Sequence, residues 1–172
     1  MSDEQVTIKK TLPNNVVIAE VARLLQTQPA VILPVKGNSM LPFIIGDIES
    51  VELVLPTSLH VGDIVLAWVT PSQTLNLPPD EAYHLYVVHR IIAIDGQQLT
   101  LMGDGNTAGT ESCQVSDVVA LATHVIDRRE RRHNLYTPRR QWLARRWRQL
   151  LPVRRWILGV YKRTWLKVMK RK

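Results

Sequence analysis

From Val31 to Ile126 the chain is cut by turn-forming residues into short apolar runs, and this punctuation restricts the fold more than any other feature. The runs at 31–35, 50–55, 63–69, 86–94, 98–102 and 118–126 are rich in Val, Ile and Leu. Gly46-Asp47, Gly62-Asp63, Asp95-Gly96 and Gly103-Asp104-Gly105-Asn106 stand between them. Runs this brief, bounded by residues that accept tight turns, predict a mainly β domain built from hairpins. Residues 70–83, with three prolines, read as an exposed loop.

Different textures flank this region. On its N-terminal side Val17, Val21, Leu24 and Leu25 recur at helical spacing after a capping Asn14 or Asn15, which predicts a helix through about Gln28, stopped by Pro29. On its C-terminal side the charge reverses. Residues 1–126 hold five Lys or Arg against thirteen Asp or Glu, whereas residues 127–172 hold seventeen against two. The spacing and charge divide the chain into an N-terminal segment (1–30), a β domain (31–126) and a basic tail (127–172).

In the tail, Trp142, Leu143, Trp147 and Leu150 recur at helical spacing, followed after Pro152 by Val153, Trp156, Ile157, Val160, Tyr161, Trp165 and Val168. Arg and Lys fill much of the remainder, and Pro152 suits the first turn of a second helix. The expectation is two basic amphipathic helices lying in a membrane surface. The competing readings are packing on the acidic body and, less favoured, nucleic-acid binding. The start, Met-Ser-Asp-Glu-Gln, lacks a secretory signal pattern, and the longest uncharged run, 64–79, is too polar and proline-broken to span a bilayer. These features predict a cytoplasmic protein peripheral to the inner membrane. The single cysteine, Cys113, excludes an internal disulfide and offers no cysteine metal cluster, and neither metal nor cofactor is expected.

The reactive candidate is Ser39, between a strand-like lead-in and a Gly-Asp turn. A serine hydroxyl needs a neighbouring base to take its proton. Lysine is disfavoured: the seven lysines are Lys9, Lys10, Lys36, Lys162, Lys167, Lys170 and Lys172, so none follows Ser39 within the β domain. Of the histidines, His60 and His133 read as solvated and His124 as structural. His84 and His89 lie five residues apart near one strand, so alternation points them to opposite faces. His89 shares parity with Val87, Ile91 and Ala93, where a buried imidazole needs a hydrogen-bond partner. A satisfied structural histidine is the competing reading, and Gly103-Asp104-Gly105-Asn106 is by itself simply a good turn.

Three ordered blocks now bear on the choice: Gly37-Asn38-Ser39-Met40-Leu41-Pro42 with Gly46-Asp47; Val61-Gly62-Asp63-Ile64-Val65 leading to Val88-His89-Arg90; and Gly103-Asp104-Gly105-Asn106. Across about residues 31–126 they resemble the type I signal peptidase family, in its histidine-base branch found in the endoplasmic reticulum and archaea. The resemblance implies a signal peptidase/LexA-like β domain and a serine endopeptidase. It also implies Ser39 as nucleophile, His89 as general base and Asp104 as the acid that orients the histidine, with Asp117 as a fallback. Gly37, Asn38, Met40 and Pro42 would form the oxyanion and substrate-binding surroundings. The chain departs from the pattern at Gly37, where many members carry a serine that donates to the oxyanion. The implied substrate is an extended leader or signal-like peptide added along a strand edge.

Two alternatives remain. The groove could bind peptides without turnover, or the chain could be akin to the self-cleaving repressors that share this fold. The latter lacks its catalytic lysine and a helix-turn-helix here.

Overall fold

A computed structural model describes residues 6–7, 14–69 and 85–166. Its elements in chain order are β1 (Val6–Thr7), α1 (Asn14–Leu24), β2 (Val31–Pro34), β3 (Ser50–Val54), β4 (Ile64–Val69), β5 (Leu85–Asp95) and β6 (Gln98–Met102). They continue with β7 (Glu111–Gln114), a 3-10 turn (Val115–Asp117), β8 (Val118–Ile126), β9 (Arg132–Asn134), α2 (Pro138–Gln149), α3 (Leu151–Tyr161) and a π-helical turn (Lys162–Leu166). The chain is mainly β. Seven antiparallel strands in the order β2-β3-β8-β4-β5-β6-β7 curl into a half-barrel, with β1 added parallel to β2 and β9 paired to β8.

Strand β4 lies between β8 and β5 and is apolar on both faces, so its sequence Ile-Val-Leu-Ala-Trp-Val is a continuous rather than alternating run. Ile64 and Leu66 join one core with α1 and β2, while Val65, Ala67 and Val69 join a second with β5, β6 and Cys113. Helix α1 buries Ile18, Val21 and Leu24 on the first core. Its regular part stops at Leu24, four residues short of the expected end, and the Gln28 N–H closes the last turn on the Leu24 carbonyl at 2.8 Å. The expected loop at 70–83, and His84, fall outside the described residues.

The strands at 31–34, 50–54, 64–69, 85–95, 98–102 and 118–126 fall where the turns predicted them. Strands β7 and β9 do not appear in the hydrophobic pattern because they are polar: of Glu111-Ser-Cys-Gln only Cys113 is buried, and Arg132-His-Asn has no buried residue. Ladder hydrogen bonds to β6 and β8 hold them instead.

The break in charge at Asp127 lies within continuous structure. Beyond it β9 extends the sheet, and α2 and α3 pack back on the 41–48 segment. Thr137 caps α2 by accepting from the Arg140 N–H, and Pro152 occupies the first turn of α3, as its position in the sequence predicts. Trp147 and Leu158 are buried with Leu41 and Ile45, with Phe43, Ile48 and Tyr161 packed around them. The tail helices therefore support the segment that follows Ser39. No helix among the described residues is long and apolar enough to cross a membrane.

Candidate active site

Ser39 is held by burial on one side only. Lys36, Gly37 and Asn38 are exposed, Ser39 is half-buried, and Met40, Leu41 and Ile44 are sealed in the cores. The Phe43 and Ile44 N–H groups both donate to the Met40 carbonyl at 3.0 Å, winding the chain into a tight turn just after the serine. The Glu49 side chain accepts from the Ile45 N–H at 2.7 Å and ties off the far end. Burial pushes the Glu49 carboxyl above its usual range, against the lowering effect of that hydrogen bond. Among the described residues the Ser39 N–H donates to no group, so it is open as a donor.

The Gly103–Asn106 turn lies directly against this segment. The Gly105 N–H donates to the Ser39 carbonyl at 2.7 Å. A Cβ added at Gly103 would collide with the Ser39 carbonyl oxygen and lie 3.0 Å from His89 Nε2. Only glycine fits there, so the serine backbone and the imidazole edge flank the same Cα. His89, on β5 opposite Val65, is 4% exposed.

Its Nδ1 lies 3.0 Å from the Glu111 carboxylate. When that carboxylate accepts the Nδ1–H, Nε2 carries the lone pair on the edge that faces Gly103 and Ser39. A carboxylate on Nδ1 also stabilises the imidazolium that forms when Nε2 takes a proton. Among the described residues no hydrogen bond joins the Ser39 hydroxyl to the ring. The Ser39 backbone and the His89 ring are neighbours across Gly103.

The acid expected from the sequence is placed differently. Asp104 is buried, and both its oxygens are taken by Arg90, from Nε at 2.9 Å and Nη2 at 2.6 Å. Arg90 also donates from Nη1 to the Gly62 carbonyl at 2.7 Å, while Trp147 Nε1 donates to the Asp104 carbonyl at 2.7 Å. Asp104 thus fixes the turn that carries Gly103, and Glu111 holds the histidine. Arg90 and His89 are consecutive in a strand, so their side chains leave it in opposite directions and reach different carboxylates. The fallback acid, Asp117, accepts from the Gln114 N–H at 2.7 Å and caps the 3-10 turn.

Of the other expected residues, Gly37 takes a positive φ of 79° that glycine accommodates without strain. The Asn38 carbonyl accepts from the Leu41 N–H at 3.3 Å, and Pro42 is half-buried. Met40 was expected beside the substrate but is 1% exposed, so its side chain is a core residue.

Each described histidine faces a carboxylate: His60 with Asp63, His89 with Glu111, His124 with Glu52 and His133 with Asp127. An acidic partner therefore does not distinguish His89; its closeness to the Ser39 backbone does. Glu111 left little trace in the sequence, since it opens a polar four-residue strand after the Gly103–Asn106 turn. A carboxylate just downstream of that turn was the available signal. Among the described residues no group of His, Cys, Asp or Glu side chains converges as a metal-binding set.

Comparison of the chain with models of known protein families, with curated proteins and with solved structures finds no match in any of the three.

Proposed function

We propose that the chain is a serine endopeptidase of the signal-peptidase type, with a signal peptidase/LexA-like β domain, acting on an extended leader or signal-like peptide. The observation that carries this reading is the convergence at Gly103: the Ser39 backbone on one side, His89 Nε2 on the other, and Glu111 behind the ring. In the reaction, Ser39 Oγ attacks the peptide carbonyl while His89 Nε2 takes its proton. The Ser39 N–H donates to the oxyanion, and the Glu111 carboxylate offsets the charge on the imidazolium. His89 then protonates the leaving amine, and water, deprotonated by the same nitrogen, releases the acyl group and restores the serine.

The tail helices hold the enzyme at an anionic membrane surface. While Trp147 and Leu158 face the body, Trp156 is 78% exposed, Val160 65% and Trp142 56%, and Arg155 and Arg163 flank Trp156 and Val160 on α3. Exposed Trp beside Arg and Lys on a helix matches an interfacial anchor, in which each cation near an anionic surface adds about 1 kcal/mol. Sedimentation with vesicles of anionic lipid, but not with neutral vesicles, is the expected result, and Trp156→Ala should weaken it. The cytoplasmic side belongs to the same proposal; recovery of the domain beyond the membrane barrier in a protease-accessibility assay would contradict it.

A second reading, a peptide-binding module without turnover, is favoured by the absence of a Ser39–His89 hydrogen bond among the described residues. A fluorophosphonate probe separates the two. The peptidase reading expects covalent labelling that is abolished in Ser39→Ala and strongly slowed in His89→Ala. Undiminished labelling in Ser39→Ala, or none in the wild type, supports the binding module.

A further inference from the structure

We infer that the cleft between α2 and the sheet is a binding site for a small organic anion, either a carboxylate or a phosphate ester. The cleft has a volume of about 370 Å3, within the range of small-molecule sites. It opens between the Val61–Gly62 turn and α2 and is floored by β4, β5 and β8. One part of its wall is apolar, from Val61, Ile64, Ala122, Leu135 and Ala144, and suits a carbon skeleton. The other part is cationic.

Three arginines line the cleft, Arg90, Arg145 and Arg148. Arg90 is neutralised by Asp104. Arg148 bonds only the Ile92 carbonyl, at 3.1 Å, and Arg145 has no partner among the described residues. Against these two stands one carboxylate in the lining, Asp63, which accepts from the His60 N–H at 2.8 Å. The Tyr136 hydroxyl is buried beside that carboxylate. Burial first, then the Asp63 charge and a hydrogen bond to Asp63, hold that hydroxyl in its protonated form, and it serves Asp63 as a donor. With the one carboxylate of the lining engaged by His60 and Tyr136, two cations without a carboxylate beside an apolar wall form a set that an anion with an organic body completes.

The cleft borders Arg90, whereas its neighbour His89 turns to Glu111 on the other side of β5. The inference therefore stands apart from the peptidase reading. Titration calorimetry of the full chain at fixed ionic strength tests it, with phenyl phosphate and benzoate as probes and benzyl alcohol as the uncharged comparator. One saturable site for at least one anion, with none for the alcohol, is expected.

Arg145 is exposed, so Arg145→Gln should fold normally and weaken binding about tenfold, as loss of an ionic hydrogen bond does. Arg128→Gln, exposed in the turn before β9 and away from the cleft, should leave it unchanged. The inference is overturned if neither anion saturates, if the alcohol binds as well, or if Arg145→Gln binds like the wild type. Equal weakening by Arg145→Gln and Arg128→Gln would also overturn it, because that pattern marks diffuse charge attraction.

Discussion

Exchanging the two acids one at a time separates orientation of the histidine from support of the fold. In Glu111→Gln the 3.0 Å contact to His89 Nδ1 loses its charge, and the amide can present its NH2 group to the ring and favour the wrong tautomer. The Glu111 side chain is 19% exposed, so a neutral amide there keeps contact with solvent and the fold should hold. Loss of the orienting carboxylate in Ser/His/acid sites lowers the rate by up to about 10⁴-fold. A fall of about 10²- to 10⁴-fold in the second-order rate of fluorophosphonate labelling is therefore expected, with the melting temperature nearly unchanged.

Asp104→Asn should behave oppositely. It leaves the Arg90 guanidinium buried without its counter-charge, and breaking a buried pair in this way costs about 3–5 kcal/mol of stability. Urea denaturation should register that loss, while the labelling rate per folded molecule stays within a few-fold of wild type. The reasoning is refuted if Asp104→Asn abolishes labelling in protein that is still folded while Glu111→Gln labels normally. That result would return the histidine-orienting role to Asp104.

Three further outcomes follow from the same contacts. Gly103→Ala places a methyl group against the Ser39 carbonyl and His89 Nε2, an overpacking that should cost about 1–3 kcal/mol and abolish labelling; unfolding and probe assays read both. Trp147→Phe keeps an aromatic ring but removes the 2.7 Å donor to the Asp104 carbonyl, so denaturation should show a loss of about 1–3 kcal/mol, with labelling per folded molecule within a few-fold of wild type. Glu49→Gln should stabilise the protein at neutral pH. Because burial raises the folded-state pKa of Glu49 above its unfolded value, its favourable contribution is present at low pH and lost as pH rises through that raised pKa. The amide oxygen still accepts from the Ile45 N–H, and the gap between variant and wild type should close below the ordinary Glu pKa of about 4.3. Melting curves from pH 4 to 8 check the sign.

How much was legible in the sequence differs from element to element for physical reasons. The strands at the centre of the sheet announce themselves because burial demands Val, Ile and Leu, and the turns because Gly, Asp and Asn are needed there. The parity of His89 was legible for the same cause: in a paired strand the face of each side chain is fixed. What depends on a neighbour brought from elsewhere was not legible. Glu111 reaches His89 only because β7 pairs with β6, a contact made by backbone hydrogen bonds that leave no apolar pattern. Asp104 looked like the acid because it is adjacent to the right turn, yet the turn's orientation gives its carboxylate to Arg90.

The tail shows a similar limit. Helical spacing correctly placed α2 and α3, but did not distinguish the Trp buried on Leu41, Trp147, from those left outside, Trp142 and Trp156. Met40 reads as part of the reactive motif and is equally a core residue, because the segment that exposes Ser39 is anchored by burying the next side chain.

Peptide turnover by the purified chain tests the central claim most directly. Incubated with a mixed library of extended peptides in the presence of anionic vesicles, the wild type should generate new amino termini at a consistent set of bonds. Ser39→Ala should generate none, and Glu111→Gln should give the same bonds far more slowly. Persistence of those products in Ser39→Ala would contradict the assignment of Ser39 as the nucleophile.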